Sequence, residues 1–177
     1  MKAIVSPGMK ICEMGVFMGE FAQFLYTLDP VELVLIDPFN DWCSSGDKNG
    51  NNVTTTYLPI VYEYMRADFA KNMGIKLEQG LSWDVLAKYP DNYFDLIYID
   101  SSHSYEGTKR ELELSYKKIK RGGYIGLHDY AINPKKCQHN YEFGVGKATT
   151  EFCTEYNQSI LALALDGCVS ALIQVEK

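Results

Sequence analysis

Two stretches in the second half of the chain, YIDSSHSYEG and GGYIGLHDY, hold two of its three histidines, His103 and His128. Each histidine has an aspartate close by: Asp100 comes three residues before His103, and Asp129 directly follows His128. If both stretches end neighbouring parallel strands, two carboxylates and up to two imidazoles converge on one mouth, because adjacent strands run within side-chain reach. Such a cluster suits a divalent metal. Carboxylates with water favour Mg2+ or Mn2+, and imidazole also accepts Mn2+, Fe2+ or Zn2+. The metal would hold a substrate hydroxyl and lower its pKa. A general base then takes the proton, and His103, with an ordinary pKa of about 6.5, fits that task. The same residues also admit a metal-free reading, with Asp100 a substrate-facing acid and His128 a buried histidine bonded to backbone.

A second set of residues falls earlier. KICEMGVFMGEF, residues 10–21, reads as a strand running into a helix with Glu13, Gly15 and Gly19 at the junction. It lacks the G-x-G-x-x-G of a dinucleotide-binding chain. The first glycine lets the backbone turn and approach a ligand closely. Asp37 ends the next strand roughly twenty residues on, where an acid commonly accepts hydrogen bonds from ribose hydroxyls. Gly80 to Ser82 end a third strand. In open α/β sheets ligands sit beyond such carboxyl ends.

The elements that must position these residues alternate in type, the pattern of a parallel sheet covered by helices. Strand-like runs are Lys10–Val16, Glu32–Asp37, IKLEQG (75–80), Phe94–Asp100 and Gly123–Asp129. Between them, Phe21, Phe24, Leu25 and Leu28 share one helical face, as do Leu58, Val61, Tyr62, Met65, Phe69 and Met73. SWDVLAKYP predicts a short helix with Ser82 as N-cap, and Leu112, Tyr116 and Ile119 line a helix from Ser104 to Lys120 that Gly122-Gly123 end. A helix over about 145–156 precedes SILALALDGCVSALIQVE, where Asp166-Gly167 between apolar runs signals a hairpin. The sum is five βα units and an antiparallel hairpin. Pro38 to Thr56 breaks the pattern with a Gly-, Asn- and Ser-rich run carrying Trp42, which reads as a lid or substrate insert in one domain spanning 1–177.

Composition narrows the partners. The 177 residues are 46% apolar and 23% charged, ordinary for a soluble globular chain. A net charge of -6 argues against nucleic acid, and glutamates interrupt the basic cluster from Lys109 to Arg121. The five cysteines, Cys12, Cys43, Cys137, Cys153 and Cys168, form no C-x-x-C and suit a reducing compartment. MKAIVSPGMK has no signal-peptide core, and the apolar stretch 160–173, broken by Asp166-Gly167, is too short to span a bilayer. The expectation is a cytoplasmic protein with no membrane partner.

E-x-G-x-x-x-G after the first strand, ID after the second and the terminal hairpin resemble class I S-adenosylmethionine-dependent methyltransferases. The resemblance runs from Lys10 to the C-terminus. It implies a Rossmann-like α/β sandwich whose seven-stranded, mostly parallel sheet ends in an antiparallel hairpin, with S-adenosyl-L-methionine as cofactor. By position, Glu13, Gly15 and Gly19, with Val16 and Phe17 between them, pass beside its methionine part. Asp37 and Pro38 meet the ribose, Gly80, Leu81 and Ser82 border the adenine, and Asp100 completes the set. Many members read G-x-G, whereas Phe17 here either narrows the methionine channel or packs on the sheet.

The second half of the chain is similar to the metal-assisted sugar and natural-product O-methyltransferases of the macrocin type. There the resemblance implies Asp100, His128 and Asp129 as ligands of Mg2+ or Mn2+, His128 standing where a second acid is common, and His103 as base. The implied acceptor is a small-molecule hydroxyl. Two alternatives stay open: a metal-independent methyltransferase in which His103 or Asp100 acts directly, and a non-catalytic cofactor-binding subunit. Only nine residues precede the first strand, so the insert covers the substrate, the site is open to a large acceptor, or a second subunit of a homo-oligomer contributes.

Overall fold

A computed structural model describes residues 4–39, 58–69, 74–131, 143–165 and 168–177. Strands β1 (Lys10–Met14), β2 (Glu32–Asp37), β3 (Ile75–Gln79), β4 (Phe94–Ile99), β5 (Ile119–Ala131), β6 (Ile160–Ala164) and β7 (Val169–Gln174) form one seven-stranded sheet in the order β3-β2-β1-β4-β5-β7-β6. The first five are parallel, and β7 runs antiparallel to both β5 and β6. This is the expected Rossmann-like methyltransferase sheet with its antiparallel end.

Parallel strands buried on both faces need near-continuous apolar runs, and Leu33, Val34, Leu35 and Ile36 of β2 supply one. Alternation sends Leu33 and Leu35 towards α1 (Glu20–Tyr26) and α2 (Leu58–Phe69), with Ala22, Leu25 and Met65. Val34 and Ile36 face α3 (Ser82–Leu86), α4 (Tyr105–Lys118) and α5 (Val145–Glu155), with Leu86, Leu112 and Phe152. Two helical layers thus close two cores on one sheet.

Several boundaries differ from expectation, and β1 ends at Met14 rather than Val16, where the chain turns at Gly15. The N-cap of α3 is Leu81, not Ser82, whose hydroxyl is committed elsewhere. Helix α4 stops at Lys118, because Ile119 already pairs with Phe94 as strand. Gly122-Gly123 therefore lie within β5, where Gly122 takes a φ of 76° and donates its N–H to Val175. Residues 40–56 of the expected insert, with Trp42, lie outside the described residues, as do Cys43, Cys137, His139 and the Asp166-Gly167 turn. Among the described residues, no helix is long and apolar enough to cross a membrane.

Candidate active site

Chain order reverses between β1 and β4, which lie side by side; this is the switch point where open α/β sheets bind ligands. The Asp100 N–H donates to the Met14 carbonyl at 2.8 Å, and Gly15 presses against the same strand end. A Cβ on Gly15 would stand 2.0 Å from the Asp100 carbonyl oxygen, and its φ is +86°. Only glycine fits there.

Asp37 holds the loop that follows. Its Oδ2 accepts the N–H groups of Val16 at 2.8 Å and Phe17 at 3.0 Å, and its Oδ1 accepts that of Phe39 at 2.7 Å. A carboxylate offers about four lone-pair sites. The chain's own backbone uses three of them, so Asp37 shapes the loop after β1 as well as standing where a ribose acceptor was expected. Phe17 and Phe39 both take positive φ, 50° and 45°, which neither residue type favours. Phe17 is 48% exposed.

Pro38 accepts the Gln79 side-chain amide, and Gly80 donates its N–H to the Asp37 carbonyl at 3.0 Å, which joins the ends of β2 and β3. Glu13 lies beneath the seam, 2% exposed, its Oε2 without a hydrogen-bond partner. Burial, and then the charges of Asp100 and Asp37, push its carboxyl well above the ordinary range.

The acid–histidine cluster forms across β4 and β5. In a regular strand His128 and Asp129 would point to opposite faces. Pairing of β5 with β7 shifts between Leu127 and Ala131, and Asp129 takes a φ of 57°. This bulge turns both side chains towards Asp100, as bulges beside active sites do. His128 Nδ1 lies 3.4 Å from Asp100 Oδ1 and 3.2 Å from Asp129 Oδ1. His103 Nε2 lies 3.1 Å from Asp129 Oδ2 and 3.6 Å from Asp100 Oδ1.

Asp100, His103 and Asp129 offer donor atoms within 4.8 Å of one another, a set that could hold a metal ion. His103 Nε2 is buried there without a well-formed hydrogen bond. A ring nitrogen set between two carboxylates is a donor arrangement that suits a divalent cation, so the residues fit the ion. Burial pushes the Asp129 carboxyl up, but the hydrogen bond and charge of His128, with the charge of His103, outweigh it and leave it below the ordinary range.

The backbone around His103 is pinned. Gly144 donates its N–H to the His103 carbonyl at 2.7 Å, and the Phe143 ring lies 5.1 Å from the imidazole. Ser104 caps α4 by accepting the Gly107 N–H at 3.1 Å. Sequence reasoning missed Phe143, Ser101 and the buried Glu111 of α4, which accepts hydrogen bonds from Ser82 and Ser101. A signal for Glu111 existed: Thr108, Glu111 and Ser115 share the helical register of buried Leu112.

The sequence matches the methyltransferase-domain family over residues 12–130. No curated protein matches it. A candidate rRNA methylase from Clostridium thermocellum superposes with a TM-score of 0.67 at 13% identity, covering 99% of this chain and 91% of that one. Aeropyrum pernix fibrillarin, solved with natively bound S-adenosyl-L-methionine, gives 0.65 at 13%, covering 96% and 68%. A candidate O-methyltransferase from Klebsiella pneumoniae gives 0.62 at 14%, covering 95% and 73%. Among such structures this chain spans from 56% to 91% of the other chain's length. Identities this low carry the fold alone, while the family match carries the activity and cofactor. The chain belongs to the class I S-adenosylmethionine-dependent methyltransferases.

Proposed function

We propose that this methyltransferase O-methylates a small-molecule hydroxyl, of a sugar or natural product, with help from a divalent metal such as Mg2+ or Mn2+. The macrocin-type enzymes that the sequence resembles have this chemistry. The observation that carries the reading is the convergence of Asp100, His103, His128 and Asp129 beside the β1–β4 seam. The net charge of -6 and this acidic mouth disfavour a nucleic-acid acceptor.

S-adenosylmethionine supplies an electrophilic methyl group when bound. Across the strand ends, Glu13, Gly15, Val16, Phe17 and Gly19 take its methionine part, Asp37 and Pro38 the ribose, and Gly80, Leu81 and Ser82 the adenine. Asp100, His103 and Asp129 would hold the metal, which lowers the pKa of a bound hydroxyl. That exchanges the two histidines relative to the sequence expectation, and His128 then receives the acceptor's proton. Positioning carries most of the acceleration, since ordering two reactants is worth about 7–11 kcal/mol.

The 3.1 Å contact between His103 and Asp129 supports a second, metal-free reading in which Asp129 orients His103 as the direct base. Calorimetry separates them. S-adenosylhomocysteine should bind the chelator-treated protein with micromolar affinity, and Mn2+ should give a separate heat. In the metal reading Asp129→Asn and His103→Ala lose the metal heat while His128→Ala keeps it. A wild type that binds cofactor with no metal heat selects direct base catalysis. A wild type that binds no cofactor leaves the non-catalytic subunit.

The protein in this reading works in the cytoplasm as one domain over 1–177. Leu161, Leu163 and Leu165 are 54%, 53% and 88% exposed on and beyond the edge strand β6. An uncharged apolar edge of this kind invites pairing. Under a two-fold axis at Leu163, that residue meets its own copy and Leu161 faces Leu165 of the other chain, which supports a homo-oligomer joined along β6. A monomer by light scattering at micromolar concentration would overturn that.

A further inference from the structure

One buried acid lies beneath both halves of the site and has no role in either as described. Glu111 stands in the second turn of α4, 1% exposed. Its Oε1 accepts a hydrogen bond from the Ser82 hydroxyl and another, at 2.5 Å, from the Ser101 hydroxyl. Ser82 opens α3, directly after Gly80 and Leu81 on the adenine side. Ser101 directly follows Asp100. A single oxygen thus joins two loops whose serines are nineteen positions apart in the chain.

Packing alone does not explain a carboxylate at this position. Leu112, its neighbour, fills the core beside it as an apolar side chain would. Burying an acid is costly unless hydrogen bonds compensate, and a well-packed apolar residue is often as stabilising or more so. What a shared acceptor adds is geometry, because two donors on one oxygen are fixed relative to each other. Further bonds hold the same loop: Thr108 Oγ1 donates to the Ser102 carbonyl at 2.8 Å, and Ser104 caps the helix. Burial pushes the Glu111 carboxyl up, and the Ser101 and Ser82 hydroxyls pull it back, as does the charge of His103.

We propose that Glu111 is a positioning residue that couples the adenine-side loop, Gly80–Ser82, to the acid–histidine loop, Asp100–His103. The inference rests on the proposed seat of S-adenosylmethionine across the ends of β1, β2 and β3. Its consequence is reciprocal. Order imposed on Ser82 by the adenine reaches Asp100 and His103, and an alteration at Ser101, on the reacting side, weakens cofactor binding.

The test is a double-mutant cycle read by calorimetric titration of S-adenosylhomocysteine, at a temperature where every variant is folded. Ser82→Ala and Ser101→Ala should each weaken binding about tenfold, the order of one buried hydrogen bond to a charged group. The double variant should lose about tenfold as well, because either change breaks the same link, whereas independent contacts would multiply to about a hundredfold. Glu111→Gln keeps an acceptor oxygen and should stay within about threefold of wild type, while Glu111→Leu should match Ser101→Ala. A merely structural Glu111 would lower the melting temperature in Glu111→Leu and leave affinity unchanged.

Several outcomes overturn the coupling. Multiplicative losses do, and so does wild-type affinity in Ser101→Ala, which tests the link even if Glu111→Leu does not fold. If Ser101→Ala binds normally while Asp37→Ala binds weakly, only the coupling is lost. If Ser82→Ala and Asp37→Ala also bind normally, the cofactor's proposed seat falls, and the coupling with it.

Discussion

At the ends of β1 and β2 the chain's own backbone uses the acid; at the ends of β4 and β5 the acids face two imidazoles. Asp37 accepts three backbone N–H bonds and so fixes the loop around Gly15 through the chain's own groups. Asp100 and Asp129 instead each lie 3.1–3.6 Å from both imidazoles, and His103 Nε2 is buried without a well-formed hydrogen bond. A preorganised loop lowers the ordering cost of binding, as a cofactor common to a whole family requires. A cluster of facing carboxylates and imidazoles is poised for an incoming cation or proton. The two halves meet where Gly15 touches Asp100.

The largest effect should come at that joint. Gly15→Ala drives a Cβ into the Asp100 carbonyl and strains a left-handed backbone. It should cost roughly 3 kcal/mol or more of stability and abolish binding of both S-adenosylhomocysteine and Mn2+. Thermal melts and calorimetry read both, and a variant that keeps either ligand would disconnect the halves. Next come Asp37→Ala and Asp129→Asn, one for each half. Asp37→Ala strands three N–H groups and should weaken S-adenosylhomocysteine roughly a hundredfold. Asp129→Asn, whose new side chain tolerates the left-handed backbone, should leave that affinity within about threefold while removing the metal heat. Equal losses of cofactor in both variants would erase the distinction.

A smaller effect separates two buried acids by pH. The Glu13 carboxyl is raised, so its contribution to stability is present below the unfolded value of about 4.3 and lost as pH climbs through the folded one. Glu13→Gln should therefore raise stability at pH 8 by about 1–3 kcal/mol and change little at pH 4. The Asp129 carboxyl is lowered. Its contribution is present above the unfolded value of about 3.9 and lost as pH falls, so Asp129→Asn should flatten the acid limb of the melting curve. Melts of wild type and both variants from pH 3 to 9 check both signs.

The sheet was legible because its strands are apolar and its loops polar, and β2 falls at the expected Glu32–Asp37. Register explains what was missed. Ile119 continues the spacing of Leu112 and Tyr116, so periodicity alone carried the helix past Lys118, and only pairing with Phe94 assigns it to β5. Ser82 has the chemistry of an N-cap, but a buried acid on another helix takes its hydroxyl. His128 and Asp129 were read as neighbours at a strand end, yet their common aim depends on a bulge set by β7, distant in sequence. Local chemistry announced the candidate residues; long-range pairing decided which face each presents.

The smallest expected effect falls on Phe17. Non-glycine residues at positive φ cluster partly at turns, where Asp29, Asn92 and Asn157 are suited to it, but Phe17 is not. Its ring is half-exposed, and its N–H is held by Asp37. Strain retained at a mouth that could have carried asparagine points to the ring itself as the reason. Phe17→Asn should therefore stabilise the fold by about 0.5–1 kcal/mol while weakening S-adenosylhomocysteine severalfold, opposite signs from one substitution. Thermal melts and calorimetry on the same sample read the pair. A variant that gains stability with affinity intact would show that Asp37 preorganises the loop by backbone alone, leaving the Phe17 side chain without a part in it.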